Sequence, residues 1–373
     1  MNVYVFGTRG FPLVQGGVEK HCENLYPRMA HDAKVTVYRR KPYVSLSKNA
    51  RYPGIRFVDL PSTRIKGFEA LWHSFLSMVH ILTQPSGIVH IHNIGPALFT
   101  PVLRLFGRKV VLTYHSPNHE HQKWNVIGRC FLKICEKIAL KYACTIIFVN
   151  HFRMVEFSAG IQKKSYYIPN GIVQPVFSLQ TDFLEKWGLQ TAKYILSVGR
   201  ITPEKGFDIL LKAFSTVHSD YRLVIAGAPE AETDYFRQLT DGIDPDKIIF
   251  TGYVYGEPLN QLYTHASLFV LPSLQEGFPL VLLEAMSYRL PLVVSDIPAT
   301  RLVTLSPDCY FPAGNAGALK NKITGFIHEN QTSKPSYDLS PYNWEQIVKN
   351  TLHVFKRLST NKQVFRGRYG FCF

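Results

Sequence analysis

Short β-rich apolar runs alternate along this chain with longer helical patterns, and the alternation occurs in two separate series. The first series holds NVYVFG (2–7), KVTVYRR (34–40), IRFVDLP (55–61), IVHIHN (88–93), KVVLTYH (109–115) and TIIFVN (145–150). Runs so short and so continuously apolar, spaced by helix-length segments, suit strands buried on both faces of a parallel sheet. A stretch rich in Pro, Gly and polar residues, PNGIVQPVFSLQTDFLEKWGLQTA (169–192), then breaks the pattern and reads as a domain connection. The second series is KYILSVGR (193–200), YRLVIAG (221–227), KIIFTGY (247–253), LFVLPS (268–273) and PLVVSD (291–296). The expected fold is therefore α/β, with two doubly wound domains at 1–172 and 173–340. Residues 341–373 are expected to form a C-terminal helix and tail that cross back to the first domain. The length of 373 residues and the 46% hydrophobic content suit this organisation.

Open α/β sheets bind ligands beyond the carboxyl ends of their strands, so the residues after each run are candidates. In the first domain these are the loop after Gly7, then His92, Asn93, His115 and Asn150. In the second they are Gly199, Arg200, Gly227, Tyr253, Ser273 to Glu276, and Asp296. Two such crevices facing each other make one interdomain cleft.

Two segments of the second series carry chemistry. In GRITPEKGFDILLKAF (199–214), Arg200 stands at a strand end and Lys205 five residues later in the loop. A guanidinium fork and an ammonium converging on one anion suit a diphosphate. The alternative is a solvated loop in which Glu204 pairs with one of them. In EGFPLVLLEAM (276–286), Glu284 falls within an apolar run, where an unpaired carboxylate costs several kcal/mol. It therefore needs a partner, either a ligand or a buried basic residue. Pro279 is expected in the first helical turn, leaving the amides of Leu280 and Val281 free at a positive helix end suited to phosphate. Glu276, in the loop before that helix, is placed to accept hydrogen bonds from sugar hydroxyls and Glu284 from a ribose.

Other features narrow the class. Cysteines 22, 130, 135, 144, 309 and 372 form no C-x-x-C pair, which suits reduced structural thiols in a cytoplasmic protein. The opening residues lack the pattern of a secretion signal, and the longest apolar stretches are about half the ~20 residues that span a bilayer. DPD (244–246) matches a metal-binding D-x-D, but it precedes a strand, away from the ligand edge. His90 and His92 share a face of one extended run without a third ligand at useful spacing, so packing or a strand-end hydrogen bond is expected of them. Gly7, Gly10, Gly16 and Gly17 do not form G-x-G-x-x-G, and the second strand ends in Arg39 and Arg40 rather than an acidic residue. A dinucleotide oxidoreductase is thereby disfavoured.

With these residues in view, positions 1 to about 358 resemble the retaining glycosyltransferases of family four, which have two Rossmann-like domains in the GT-B arrangement. The resemblance is carried by GR and EKG within 199–206 and by Glu276 and Glu284 with seven residues between them. The segment GTRGFPLVQGGVEKHCENLYPRM (7–29) further resembles a bacterial subgroup that includes rhamnosyltransferases of surface-polysaccharide assembly. The resemblance implies that Gly16 and Gly17 let a first-domain loop approach the donor phosphates. It likewise implies that Arg200 and Lys205 hold the diphosphate, Glu276 the donor sugar and Glu284 the nucleotide ribose, and that His115 faces the sugar from the first domain. Gly199, Tyr253, Gly277, Phe278, Leu280 and Val281 complete the expected donor-binding set, and Arg200, Lys205, Glu276 and His115 the catalytic one. The chain departs from the family in carrying Leu302 where a glutamate is frequent after SDIPATR, and in its ending VFRGRYGFCF (364–373).

The expected activity is metal-independent, retaining sugar transfer from a nucleotide diphosphate donor to a lipid-linked glycan in bacterial surface-polysaccharide synthesis, with no cofactor. A sugar-nucleotide epimerase or hydrolase of the same architecture is the alternative, and a non-enzymatic anionic-polymer-binding protein the more distant one. Charge bears on the partners: residues 1–180 hold 23 Lys and Arg against 8 Asp and Glu, while 181–373 hold 19 of each. The whole excess lies in the first half, which suits an anionic partner, whether nucleic acid, membrane or phosphorylated substrate. With the expected activity, an anionic membrane surface on the inner face of the cell membrane is the expected partner and nucleic acid is not. RRKPYVSLSKNARYPGIRF (39–57), including Arg39, Arg40, Lys41 and Lys48, is the candidate contact, followed by RIKGFEALWHSFLSMVHIL (64–82). The apolar residues of the latter, Phe68, Leu71, Trp72, Phe75, Leu76, Val79 and Leu82, fall mostly at helical spacing, and packing of that stripe against the sheet is the expectation.

Overall fold

The computed structural model describes residues 1–44, 52–63, 65, 67–120, 124–229, 234–329 and 334–360. Seven parallel strands form the first sheet: β1 (Asn2–Phe6), β2 (Lys34–Arg40), β3 (Ile55–Leu60), β4 (Ile88–His92), β5 (Lys109–Tyr114), β6 (Thr145–Phe148) and β7 (Ser165–Tyr167). Their order is β3-β2-β1-β4-β5-β6-β7. Six parallel strands form the second: β8 (Tyr194–Val198), β9 (Arg222–Ala226), β10 (Ile248–Gly252), β11 (Leu268–Leu271), β12 (Leu292–Asp296) and β13 (Tyr310–Pro312). They run β10-β9-β8-β11-β12-β13. Both sheets are doubly wound, as the alternation predicts. The strand order reverses between β1 and β4 and between β8 and β11, so each crevice opens beside the loops that follow those strands. At the first reversal the Asn93 amide donates to the Gly7 carbonyl at 3.0 Å, tying the two strand ends together.

Three-residue β7 and β13 escape the sequence pattern because they are too short to show a period. The connection 169–192 is also not wholly irregular, since Asp182–Lys186 is helical. The helix Trp344–Thr360, which follows the second sheet, returns to the first domain: Trp344, Ile347, Val348, Leu352 and Phe355 share one core with Val3, Val5 and Val35. Phe355 has no exposed surface, a burial worth about 1.5–3 kcal/mol. The return is fastened where the Ile172 amide donates to the Tyr342 carbonyl at 2.8 Å.

Three local expectations are corrected. Arg39 and Arg40 do not face outward: Arg39 is fully buried and grips Asp59 with two bonds of 2.6 and 2.7 Å, while Arg40 lies 3.2 Å from Glu69. Being the last residues of an inner strand, they are covered on both faces and take carboxylates from neighbouring elements. Lys48 lies outside the described residues. The helix Phe68–Leu82 buries His73, Ser74, Ser77, Met78 and Ile81, and leaves Phe68, Trp72, Phe75 and Val79 exposed. The expected apolar stripe thus faces outward in large part, because the face turned to the sheet is the one that carries Met78 and Ile81 with His73, Ser74 and Ser77. Pro279 precedes the helix Leu280–Ser287 as its cap rather than lying in its first turn. All five described cysteines are free. Among the described residues, no helix is long and apolar enough to cross a membrane.

Candidate active site in the interdomain cleft

The loop between β11 and the helix Leu280–Ser287 is wedged against the first domain. Asn150 donates its amide to the Gly277 carbonyl at 3.0 Å, and a Cβ added at Gly277 would stand 2.2 Å from the His115 carbonyl oxygen. No other residue fits there without parting the domains. One position earlier, Glu276 Oε1 accepts from Lys205 Nζ at 2.5 Å and from Ser273 Oγ at 2.8 Å. Lys205 belongs to the turn Pro203–Lys205 after β8. The Glu204 carbonyl accepts the amides of Leu274 and Gln275 at 2.9 and 3.3 Å, which latches this turn to the Glu276 loop. Two residues expected to contact donor are therefore in contact with each other. Arg200 is half-buried at the end of β8, beside Gly199.

Glu284 has the partner its buried position requires. One carboxylate oxygen pairs with Lys20 of the first domain, and the other accepts from the Tyr263 hydroxyl at 2.9 Å. Burial pushes the Tyr263 phenol well up, with the carboxylate adding to it, so the phenol stays protonated and donates. Burial disfavours the charged Lys20 ammonium, but the Glu284 charge and hydrogen bond outweigh this and hold it above the ordinary lysine value. A cavity of about 240 Å³ adjoins the pair, lined among others by Asn24, Leu280, Tyr288 and Trp344. Tyr253, 43% exposed and tilted against Tyr255 at 5.7 Å between ring centres, feels the charges of Lys20 and Glu284 from nearby.

Gly16 and Gly17 lie at the start of the helix Gly17–Met29. Gly16 has φ 152°, and a Cβ there would stand 2.0 Å from Glu19 Oε2. Glu19 folds back over its own loop, its other oxygen accepting the Arg9 amide at 3.0 Å. A Cβ on Gly17 would lie 3.9 Å from a Leu280 methyl carbon, so the first residues of the two helices lie close together where the domains meet. Two positive helix ends so near each other favour an anion. The expected residues Gly16, Gly17, Leu280 and Val281 are thus brought together. Phe278, buried just before the helix, packs edge-on to Tyr342 at 5.9 Å.

A second cavity, about 380 Å³, lies on the other side of the Glu276 loop between Glu120, Asn150, Arg153, Gln275 and Pro298. Glu120 spans the domains here, taking Arg153 at 2.7 Å and the Gln275 amide at 2.8 Å. His115 is buried at the end of β5 and shares a bond of 2.9 Å with His92. Burial pushes its basicity well down, with His21 and His90 adding to the effect, so it is neutral. Nitrogens of His21, His92 and His115 lie within 4.8 Å of one another; His21 bonds Asn170 at 2.7 Å, while the other two bond each other. The DPD segment lies at the far edge before β10, where Asp244 accepts the Asp246 amide at 3.0 Å within its own turn.

Lys20, Glu19, Tyr263, Asn150 and Ser273 are absent from the sequence-derived set or lack a role in it. One signal was available for Lys20: a cation in the first turn of a helix opposes the macrodipole and implies a specific partner.

The chain is similar to known proteins over most of its length. Residues 15–173 match the family model described as Glycosyltransferase Family 4, and residues 192–329 that of Glycosyl transferases group 1. An uncharacterized glycosyltransferase of Methanocaldococcus jannaschii is 29% identical over 62% of this chain and 66% of its own length. The O-antigen chain mannosyltransferase B of Escherichia coli is 29% identical over 47% of this chain and 49% of its own. The matched region thus spans less than two thirds of either relative. A phosphatidyl-myo-inositol mannosyltransferase of Mycobacterium leprae is 25% identical over 93% of this chain and 95% of its own. Among solved structures, sucrose-phosphate synthase from Thermosynechococcus elongatus superposes with a TM-score of 0.78 at 20% identity, covering 96% of this chain and 99% of the other. Anabaena HepE, in complex with UDP and glucose, gives 0.75 at 17% identity, with 95% and 99% covered. The chain belongs to glycosyltransferase family four and has the GT-B fold.

Proposed function

We propose that this protein transfers a sugar, with retention and without a metal ion, from a nucleotide diphosphate donor to a lipid-linked glycan of a bacterial surface polysaccharide. The observation that carries the reading is the closeness of two helix N-termini, at Gly17 and Leu280, in the cleft that also holds Lys205, Glu276 and the Lys20–Glu284 pair. Helix ends and fixed cations supply the positive field that a departing diphosphate needs, which is the work a metal performs elsewhere. Arg200 and Lys205 hold the diphosphate, Glu276 the sugar and Glu284 the ribose, with Tyr253, Gly199, Gly277, Phe278 and Val281 shaping the donor pocket.

Glu276 is bound up with Lys205 and Ser273, so it orients rather than attacks. Reaction then proceeds on the front face of the sugar: the acceptor hydroxyl bonds to the anomeric carbon as the diphosphate oxygen leaves, and that oxygen takes the hydroxyl proton. The cavity beside Glu120 and Arg153 is assigned to the acceptor. The relatives named as O-antigen and phosphatidyl-inositol mannosyltransferases support an acceptor of that class, and an exposed apolar face on the first domain, including Trp72 and Leu105, supports docking at a membrane.

The deciding experiment is a thermal-shift panel of UDP, GDP, dTDP and ADP followed by product analysis with the matching nucleotide sugar. Stabilisation by one nucleotide that persists in EDTA, and transfer that falls at least ~10²-fold in Lys205→Ala, are expected. Stabilisation by none, or a requirement for manganese or magnesium, overturns the reading; sugar released to water in the presence of acceptor identifies a hydrolase instead.

A further inference from the structure

Five buried side chains form one unbroken line beneath the cleft. His90 and His92 lie two apart on β4, and Thr113 lies opposite His92 on β5 with His115 two residues on, so all four share one face of the sheet. The helix Gly17–Met29 lays Tyr26 over them. Thr113 Oγ1 bonds His90 Nε2 at 2.6 Å, His90 Nδ1 bonds the Tyr26 hydroxyl at 2.8 Å, that hydroxyl bonds His92 Nε2 at 2.5 Å, and His92 Nδ1 bonds His115 Nε2 at 2.9 Å. His115 Nδ1 is the free end. It is not among the buried atoms left without a partner, and His115 keeps 7% of its surface exposed.

Counting protons makes this line more than packing. Burial holds all three imidazoles neutral: His90 is pushed down to about 3, and His92 and His115 well below the ordinary histidine value. Burial also pushes the Tyr26 phenol well up, so it keeps its proton. A neutral imidazole has one N–H and one lone pair, and each hydroxyl has one proton. Every contact in the line needs one proton and no more, which leaves three arrangements. In the first, all protons point from Thr113 toward His115, and His115 Nδ1 carries hydrogen. In the second, all point back toward Thr113, and His115 Nδ1 is a lone pair. In the third, the Tyr26 oxygen accepts from both His90 and His92, its own proton lies outside the line, and His115 Nδ1 is again a lone pair.

Thr113 and Tyr26 decide among them. Thr113 is 1% exposed, and among the described residues its hydroxyl has His90 as sole partner. Tyr26 is fully buried, and its hydroxyl meets only His90 and His92 among the described residues. In the second arrangement the Thr113 proton would be buried without an acceptor, and in the third the Tyr26 proton would be, whereas in the first only a lone pair goes unused, and an orphaned donor is the costlier fault.

We infer that Thr113, His90, Tyr26 and His92 form a tautomer relay that fixes His115 as an Nδ1–H hydrogen-bond donor to the cleft. His115 thereby offers a neutral N–H to an oxygen of the bound sugar and does not act as a base; the identity of that oxygen rests on the proposed glycosyl transfer. The four other residues are positioning residues.

The relay can be read without substrate, so its failure is distinguishable from failure of the functional assignment. In the full chain labelled with ¹⁵N-histidine, His90, His92 and His115 are expected to share one tautomer, each with a protonated Nδ1 and a lone pair on Nε2, assigned by loss of each signal in the single Gln variants. Mixed tautomers, or a lone pair on His115 Nδ1, overturn the inference. Thr113→Asp places an acceptor without a proton at the end of the line and is expected to convert all three to the Nε2–H form. Adding Tyr26→Phe cuts the line, so His115 is expected to return to Nδ1–H while His90 stays converted. A folded Thr113→Asp protein whose His115 is unchanged shows that no relay operates, and the wild-type tautomers alone decide the matter should that variant not fold.

Discussion

Lys20, in the first turn of the helix that opens the cleft, pairs with Glu284 across the domain boundary, and the Tyr263 hydroxyl takes the other carboxylate oxygen at 2.9 Å. A carboxylate proposed to bind ribose is thus already satisfied by protein groups. On that proposal nucleotide binding takes over one of these bonds, and the half-exposed Lys20 is the partner placed to give way. Released beside the two helix ends, its ammonium would then face the proposed diphosphate. Lys20→Met is therefore expected to weaken binding of the preferred nucleoside diphosphate about tenfold, or ~1.4 kcal/mol. Titration calorimetry measures this directly, and unchanged or tighter binding would mean that Lys20 merely blocks the ribose position.

Gly277 sets a steric test of the cleft. Its added Cβ would meet the His115 carbonyl oxygen at 2.2 Å, a backbone atom that no rotamer change can clear. Gly277→Ala must push the loop away from Asn150 and carry Glu276 with it. A displacement of about 1 Å at a reacting group costs on the order of 10²-fold in rate. That loss, with a melting temperature lowered by a few degrees, is the expected outcome; full activity would place the loop elsewhere.

Acid should unfold this protein early, and histidines rather than carboxylates should be the cause. Burial pushes His21 down to about 4 and His73 and His90 to about 3, with His92 and His115 also well below the ordinary value. In the unfolded chain each takes a proton near pH 6.5. Between pH 6.5 and about 4 the unfolded state therefore binds protons that the folded state refuses, so stability falls as pH falls through this window. Each histidine contributes up to ~1.4 kcal/mol per pH unit there. The melting temperature should decline steadily from pH 6.5 to 5, before most carboxylates titrate. A flat profile over that interval would show that protons reach these imidazoles in the folded protein.

How much of this was legible beforehand depended on range. Strands β1 to β6 and β8 to β12 were visible because a strand buried on both faces must be apolar throughout, and no distant residue is needed to see that. Arg200, Lys205, Glu276 and Glu284 stood out because each combines charge with a strand end or an apolar run. The partner of Glu284 was not legible: Lys20 is 264 positions away, and only the packing of two domains brings them together. The fate of Arg39 and Arg40 failed for the same reason, since two cations at a strand end look solvated until Asp59 and Glu69 arrive from other elements. The outward turn of the Phe68–Leu82 stripe was misjudged because helical period reveals that a helix has two faces but not which one meets the sheet.

That outward stripe bears on the proposed docking of the first domain at a membrane. Phe68, Trp72, Phe75 and Val79 are exposed at intervals of three or four residues, and Phe75 touches Phe99 with ring centres 6.0 Å apart. Beyond Phe99, Leu105 is 83% exposed, and on the helix Val126–Tyr142 so are Val126 and Ile127 at about the same level, with Phe131 and Ile134 further along. Arg129, Lys133, Lys137 and Lys141 are exposed on that same helix at four-residue spacing, forming a basic line beside the apolar one. Aromatic side chains settling at the headgroup boundary and cations meeting anionic lipid, each adding about 1 kcal/mol, together suit reversible docking. With Arg39 and Arg40 locked to carboxylates, it is these four cations that should govern the charge dependence. Replacing them with Gln is expected to abolish binding to vesicles containing anionic lipid, and binding by the unaltered protein should weaken as salt rises. Trp72→Ser with Phe75→Ser should weaken binding at every salt concentration, because it removes the apolar share. Equal binding to neutral vesicles would assign the attachment to the apolar residues alone, and no binding to either vesicle would remove the membrane from the function of this enzyme.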